Sequence, residues 1–161
     1  SKKIINTDGL KLLDPVKADS YKRTSLSGGE LLICVRGTTG TIAIASSVLK
    51  GANVTRGIVP VSFDPLQSSQ NFGYYSLISP VVQKQIKAKT YGAALMQINI
   101  RDLRKLRIPL PHLSQQKDIV SHLNALTTKT NQLQTHYQTK LTSLTELKKS
   151  ILQKAFAGEL T

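Results

Sequence analysis

Short apolar runs separated by turn-forming residues fill the first 113 positions of the chain. The runs within IINTDGLKLL, GGELLICVRGTTGTIAIAS, VTRGIVPVSF and LRIPLPHL are rich in β-branched residues and are separated by Gly, Pro, Asn and Asp, a pattern typical of strands and turns. Between them, QNFGYYSLISPVVQKQIKAKT predicts two helical pieces, 72–77 and 81–87, interrupted at Pro80. Residues 1–113 are therefore predicted to form a small mixed α+β domain.

From residue 114 onward the apolar positions follow a helical period. Residues 114–156 contain no Gly and no Pro, Ser114 is a suitable N-cap, and Gly158 is a suitable stop. We therefore predict one helix over 114–157, roughly 43 residues or about 65 Å long, followed by a tail over 158–161.

One face of this predicted helix is apolar along its whole length. The stripe follows a heptad spacing of four and three residues up to Tyr137 and continues after a shift of about one residue. A single helix cannot bury such a stripe, so the pattern predicts pairing with a second helix. The alternative is that this segment forms two shorter helices, which fold back and bury the stripe against the basic domain. The residues predicted to pair are Ile119, Leu123, Leu126, Leu133, Tyr137, Leu141, Leu144 and Ile151.

The chain is strongly basic, with 22 Lys and Arg against 9 Asp and Glu and a formal net charge of +13. Most of the excess lies in residues 1–113, which we therefore expect to face an anionic partner, most simply nucleic acid. A ribosome-like surface or a solvated face are the alternatives. The single cysteine, Cys34, excludes disulfides within the chain and a cysteine-ligated zinc. We expect it to be a buried thiol in a reducing cytoplasm.

The chain carries no motif typical of an active site. Neither a GxxxxGK[ST] loop nor a GxGxxG fingerprint is present. The segment FDPLQ lacks the second proline and the aromatic residue of adenine methyltransferase signatures, so we interpret Asp64 and Pro65 as a turn. The three histidines are poorly placed to share a metal, and the acids are too scattered for a nuclease. We predict no catalytic residues and no metal ligands.

Candidate DNA contacts lie at the tip of the predicted hairpin and in the basic and polar segments that follow. Arg pairs with guanine, Asn and Gln pair with adenine, and most Lys contact phosphates. For each residue the alternative is a solvated side chain. Specifically, Arg36 could pair with an internal acid, one of Tyr74 and Tyr75 could face the core, and Gln97 and Asn99 could be turn and capping residues. The candidates are Arg36, Thr38, Thr39, Lys50, Arg56, Tyr74, Lys87, Lys89, Gln97, Asn99 and Arg101.

Three segments together resemble the DNA specificity subunit of type I restriction-modification systems. They are GELLICVRGTTGTIAIA, YGAALMQINIRDLRKLRIPLPHLSQQKDIVSHLNAL and LTSLTELKKSILQKAFAGEL. The second contains IPLPHLSQQKDIV, where the family has a Glu-Gln pair and this chain has Gln115 and Gln116. An acidic residue of the first helical turn is thus lost, and with it any contact that its charge would make. The third is very close to the typical ending of these subunits.

The resemblance implies a specific role. These subunits carry two target recognition domains, each followed by a long helix, and the two helices pack antiparallel. Each domain reads one half of a split double-stranded DNA site, and the subunit itself does no chemistry. S-adenosylmethionine, ATP and Mg are expected only in partner subunits, so no cofactor is expected in this chain. This chain looks like a C-terminal half that lacks its first strands.

The resemblance also implies the partners. They are double-stranded DNA, the modification (methyltransferase) subunits docked through the helix, the restriction subunit indirectly, and a second copy or the other half of the specificity subunit. No membrane partner is expected. The rival interpretation from the residues alone is a coiled-coil assembly protein whose positive charge is not used for specific DNA binding.

Overall fold

The computed structural model describes Ile4, Ile5 and residues 7–159, without the side chains of Pro15, Asp19 and Arg23. The chain forms two compact units, Ser1–Val120 and Ser121–Thr161, and the boundary falls within the last helix. The first unit contains helices α1 (Pro15–Ser20), α2 (Gln70–Ile78), α3 (Pro80–Lys89) and α4 (Ile100–Leu103), with strands β1 (Leu31–Cys34), β2 (Ile42–Ile44), β3 (Ile58–Val61), β4 (Thr90–Tyr91) and β5 (Gln97–Ile98). Helix α5 spans Leu113–Ala157.

A three-stranded antiparallel sheet in the order β2-β1-β3 is the centre of the first unit. Leu31 faces Ile44 on β2 and Val61 on β3, so β1 is the middle strand. Burial on both faces of β1 explains its unbroken apolar sequence, LLIC.

Alternate side chains of β1 enter two separate apolar clusters. Leu31 and Ile33 pack with residues of α2 and α3, including Leu77, Val82 and Ile86. Leu32 points to the opposite face, where a smaller cluster contains Leu26, Ala45 and Leu49.

Helices α2 and α3 confirm the prediction of two helical pieces separated at Pro80. Ser69 caps α2 by accepting a hydrogen bond from the N–H of Phe72 at 3.2 Å. Ser79 closes α2 and also caps α3, where Pro80 occupies the first turn. The proline therefore starts a helix here rather than breaking one.

The pattern of LRIPLPHL predicted a strand, and this prediction is wrong. Residues 106–112 are irregular, and Pro109 and Pro111 cannot donate to a ladder. The side chain of Gln85 substitutes for a neighbouring strand: its Nε2 donates to the carbonyl oxygen of Arg107, and its Oε1 accepts from the Arg107 N–H, both at 2.9 Å.

The N-terminal stretch also differs from its predicted strand character. Between positions 4 and 14 the described residues form only an isolated bridge, from Ile4 to Ile44. Helix α1 follows, capped by the Asp14 carboxylate and begun by Pro15. This Asp-Pro pair is a helix start signal in the sequence, but no helix was predicted here.

A tight turn at residues 27–30 leads into β1 and holds an acidic side chain. Gly28 and Gly29 adopt positive φ angles of 90° and 93°. The Glu30 carboxylate accepts hydrogen bonds from the N–H groups of Ser27 and Gly28. Burial raises the pKa of Glu30, but hydrogen bonds from the N–H groups of Ser27, Glu30 and Gly28 and from the Ser27 side chain together outweigh this effect and lower the pKa below its ordinary value.

Helix α5 is continuous over its 45 residues, or about 67 Å at roughly 1.5 Å per residue. With small sheets, short helices and this long C-terminal helix, the predicted α+β class is confirmed. The helix begins at Leu113. The prediction that Ser114 is its N-cap is therefore wrong.

Candidate nucleic-acid interface

The hairpin between β1 and β2 carries the sequence RGTTG in a closed loop. The N–H of Gly40 donates to the carbonyl oxygen of Cys34 at 2.8 Å, and the N–H of Cys34 donates to Thr41 at 2.9 Å. Gly37 and Gly40 have φ angles of 84° and 88°, a backbone region in which side-chain-bearing residues are strained. The glycines therefore set the shape of the loop.

Neighbouring backbone fixes this hairpin loop on both edges. On one edge the N–H of Val35 donates to the carbonyl oxygen of Gly57 at 2.8 Å. On the other edge the N–H of Ile98 donates to Val35 at 3.0 Å, and the N–H of Gly37 donates to Met96 at 2.8 Å. A loop bonded on both sides presents its side chains from a defined position.

Arg36 is exposed in this loop and forms an isolated backbone bridge with Gln97. The predicted contacts Arg36 and Gln97 are thus brought side by side. Arg36 makes no ion pair with any carboxylate that the structure describes. The alternative interpretation, in which an internal acid holds Arg36, therefore has no support among these residues.

The two threonines of the loop have internal partners. The Thr39 hydroxyl donates to the carbonyl oxygen of Met96 at 3.1 Å, and the Thr38 hydroxyl lies 3.4 Å from Cys34 Sγ. Each hydroxyl hydrogen is thus used within the protein, which leaves oxygen lone pairs to accept from a ligand. Cys34 itself is only half-buried, so the expectation of a buried thiol is wrong.

A concavity of about 590 Å³ lies between the hairpin loop, α3 and Met96. Its lining includes Thr38, Thr39 and the exposed lysines Lys84 and Lys87, and it includes no acidic residue. We name this surface the basic groove. Three predicted contact residues, Thr38, Thr39 and Lys87, line it together.

The side chain of Gln83, which lines the basic groove, links the hairpin loop to the end of α2. Its Nε2 donates to the carbonyl oxygens of Gly40 at 2.9 Å and Leu77 at 2.8 Å. Gln83 was not among the predicted contacts; its position one turn after the Ser79 cap and three residues before the buried Ile86 was the available signal.

The other predicted contacts lie outside the lining of the basic groove. Arg56 lines a second concavity of about 1060 Å³ together with Lys11 and Lys22. Lys50 ends the short 3-10 turn Ser47–Leu49, beside the smaller apolar cluster. Lys89 is half-buried at the end of α3, and Arg101 is exposed in α4.

Asn99 and Tyr74 have structural positions. The Asn99 side chain accepts from the Arg101 N–H at 3.0 Å and caps α4, as in the capping alternative. Tyr74 is 4% exposed within the main apolar cluster. Its predicted role in DNA contact is contradicted, because α2 turns this side chain toward the sheet while Tyr75 remains half-buried.

The SQQ sequence at the start of α5 contains a buried, hydrogen-bonded glutamine that was not predicted. Gln116 is 0% exposed. Its Nε2 donates to the carbonyl oxygens of Gln67 at 2.7 Å and Pro111 at 2.9 Å, and its Oε1 accepts from the Ser69 N–H at 3.3 Å. Both the nitrogen and the oxygen of this buried amide therefore have hydrogen-bond partners.

Gln115 retains a hydrogen bond that an acid could also make. Its Oε1 accepts from the N–H of His112 at 3.2 Å, the reciprocal half of a capping box. Replacing Glu by Gln at this position therefore removes a charge and keeps the bond.

The apolar stripe of α5 is accessible in this chain. Of the residues predicted to pair, Leu123 is half-buried and the others are exposed. A seven-residue repeat drifts by about 20° per repeat on a straight helix. The one-residue shift between Tyr137 and Leu141 compensates for this drift, so the stripe stays on one face of the helix.

Two classes of site are not found in the part of the chain that the structure describes. No group of three or more His, Cys, Asp or Glu side chains is arranged to hold a metal ion. No described helix is long and apolar enough to cross a membrane.

Comparisons with known proteins give a consistent result. The family model described as "Type I restriction modification DNA specificity domain" matches residues 11–143. The chain is 28% identical over 141 residues to the type I restriction enzyme EcoBI specificity subunit of Escherichia coli, covering 88% of this chain and 30% of that subunit. The chain thus spans about a third of the length of this curated relative.

Solved structures are similar as well. One comes from work on complex assembly and conformational transition of the type I R-M system; it has a TM-score of 0.72 and 25% identity, covering 85% of this chain and 33% of that chain. The S subunit of such a system from M. genitalium has a TM-score of 0.55 and 23% identity, covering 66% of this chain and 28% of that chain, and it shows similarity of fold alone.

Proposed function

This chain belongs to the family of type I restriction modification DNA specificity domains, and on that premise we propose that it recognises one half of a split double-stranded DNA target without catalysing a reaction. The observation that carries the proposal is the basic groove. Its lining combines Lys84 and Lys87 with the hairpin loop and contains no acid. A surface of one sign of charge attracts a polyanion and aligns it.

Affinity and specificity have separate sources in this proposal. Lys84 and Lys87 bind phosphates, which sets affinity but not sequence. Arg36 and Gln97, which are joined by a backbone bridge, read guanine and adenine edges in this proposal. Lys50, Arg56, Lys89 and Arg101 add positive charge elsewhere on the surface and steer the duplex.

The second part of the proposal concerns α5. Its exposed stripe, which includes Leu126, Leu133 and Leu144, pairs antiparallel with the helix of a second copy or of the other half of the specificity subunit. A two-fold arrangement uses the same patch twice. The helix also docks the modification subunits, and the restriction subunit joins indirectly.

The chemistry then resides in the partners. Methylation with S-adenosylmethionine belongs to the modification subunits, and steps that need ATP and Mg belong to the restriction subunit. This chain supplies DNA recognition in the cytoplasm.

The proposal is tested by titrating duplex DNA into the chain assembled with its modification subunit, at several salt concentrations. Affinity that falls steeply as salt rises supports DNA binding by this chain, because released counterions set the slope. The exposed stripe favours a second candidate, a coiled-coil assembly protein. An assembled complex that shows no measurable duplex binding would favour that candidate and contradict the proposal.

A further inference from the structure

The β4–β5 hairpin presents apolar side chains beside the basic groove. Residues 92–96, which we name the hairpin tip, are all exposed. Leu95 and Met96 are 45% and 43% exposed, and Met96 lines the groove. The lining of the basic groove thus combines an apolar side chain, Met96, with the cations Lys84 and Lys87.

The hairpin tip is held in place by its neighbours. The carbonyl oxygen of Met96 accepts from the Gly37 N–H at 2.8 Å and from the Thr39 hydroxyl at 3.1 Å. Gly92 has a φ of 122°, and a Cβ there would overlap the carbonyl oxygen of Leu95. The glycine thus permits a tight turn that carries Leu95 and Met96 as a fixed pair.

The surroundings identify the class of partner. Lys84 and Lys87 share the groove with Met96, and no acid lines it. Leu95 lies across the loop that bears Arg36, with its Cδ1 3.9 Å from where a Cβ on Gly37 would stand. Lysines beside a pair of apolar side chains are complementary to a partner in which an anionic backbone lies on either side of apolar groups. Duplex DNA has this chemistry in its major groove, where thymine exposes its 5-methyl group between the phosphate strands.

We propose that Leu95 and Met96 are specificity-determining residues that contact thymine methyl groups in the major groove. A two-stranded hairpin fits that groove. Gln97 follows them directly on β5, so adenine and thymine contacts come from one short segment. The hairpin tip therefore favours A·T pairs in the half-site. This inference rests on the proposed function and adds to it the base chemistry that the groove selects.

The test begins with the duplex that the assembled complex enriches from a random pool. Each thymidine of the enriched half-site is then replaced by deoxyuridine, which removes only the 5-methyl group. We expect the wild-type complex to lose about fourfold in affinity at one or two positions, the effect of one buried methyl. In the double variant Leu95→Ala, Met96→Ala the same replacements should have no effect.

Two variants serve as controls. Leu66→Ala removes a leucine that is 82% exposed outside the hairpin tip and should keep the full loss at the same thymines. Met96→Leu keeps an apolar side chain and should keep the thymine preference. Unfolding midpoints of all variants establish that each one folds.

The outcomes separate this inference from the proposed function. A wild-type complex that selects a site yet tolerates every deoxyuridine, or a selected half-site without thymine, overturns the inference alone. So does a double variant that binds modification subunits poorly while its thymine scan is unchanged, since the hairpin tip would then be a protein contact. Failure to enrich any duplex contradicts the proposed function itself.

Discussion

The side-chain nitrogen of Gln116 lies 2.7 Å from the carbonyl oxygen of Gln67, which ties the first turn of α5 to the segment that precedes α2. The same amide accepts from Ser69, whose hydroxyl caps α2. One buried side chain thus supports the starts of two helices. Within residues 1–120, the beginning of the long helix is a fixed part of the domain.

Replacing Gln116 with Leu should destabilise the chain. The substitution removes the hydrogen-bond partner of the carbonyl oxygens of Gln67 and Pro111 and of the Ser69 N–H, and we expect a loss of about 1–3 kcal/mol in the free energy of unfolding. Chemical denaturation measures it. Gln134→Leu, at an exposed position of the same helix, is the control and should change stability by less than about 0.5 kcal/mol. Equal effects of the two substitutions would refute the role assigned to Gln116.

Gly40→Ala should cost more stability than Gly51→Ala. Both glycines have similar φ angles, 88° and 83°, so both substitutions strain the backbone by about 1 kcal/mol. A Cβ on Gly40 would also lie 3.0 Å from Gln83 Oε1 and 3.2 Å from Ile86 Cγ2, whereas nothing lies within 4 Å of one on Gly51. We expect thermal unfolding to show an additional loss of about 1–2 kcal/mol for Gly40→Ala. Equal midpoints would mean that the loop moves away from α3 without cost.

Glu30→Gln should alter the pH dependence of stability. The folded-state pKa of Glu30 is lowered, so its carboxylate adds stability that is present above the unfolded-state pKa and is lost as the pH falls through the folded-state pKa. Wild type should therefore exceed the variant in unfolding midpoint near pH 7, and the difference should shrink below about pH 4. Thermal melts across this range measure the difference. A constant difference from neutral to acidic pH contradicts the assignment.

Lys84→Gln combined with Lys87→Gln should weaken duplex binding in a salt-dependent way. Each phosphate contact contributes about 0.9 to the slope of log affinity against log salt. We expect the double variant of the assembled complex to have a slope shallower by about 2, with weaker binding to all sequences alike. The control is Lys129→Gln with Lys140→Gln on α5, which should leave the slope unchanged. If the Lys129→Gln, Lys140→Gln variant lowers the salt slope more than the Lys84→Gln, Lys87→Gln variant does, the basic groove is not the phosphate-binding surface.

The sequence allowed much of the architecture to be predicted. Turn residues around β-branched runs located the hairpin of β1 and β2, and Pro80 separated α2 from α3. The absence of Gly and Pro after position 113 predicted α5 within one residue of its observed start. These features depend mainly on residues that are close together in the sequence.

Features that depend on distant contacts could not be predicted. The irregular 106–112 segment is held by Gln85, whose side chain is supplied by a helix about twenty residues earlier. Tyr74 and Tyr75 are chemically alike, and only the packing of α2 against the sheet decides which one is buried. Gln83 and Gln116 look like surface glutamines in sequence, yet each bonds carbonyl groups that the fold brings from elsewhere.

The most direct test of DNA recognition is selection from a random duplex pool by the chain assembled with its modification subunit. The account predicts enrichment of one defined half-site, and loss of that enrichment when Arg36 and Gln97 are both replaced with Ala. A recovered pool with no common sequence, from a complex that is assembled and folded, would contradict it.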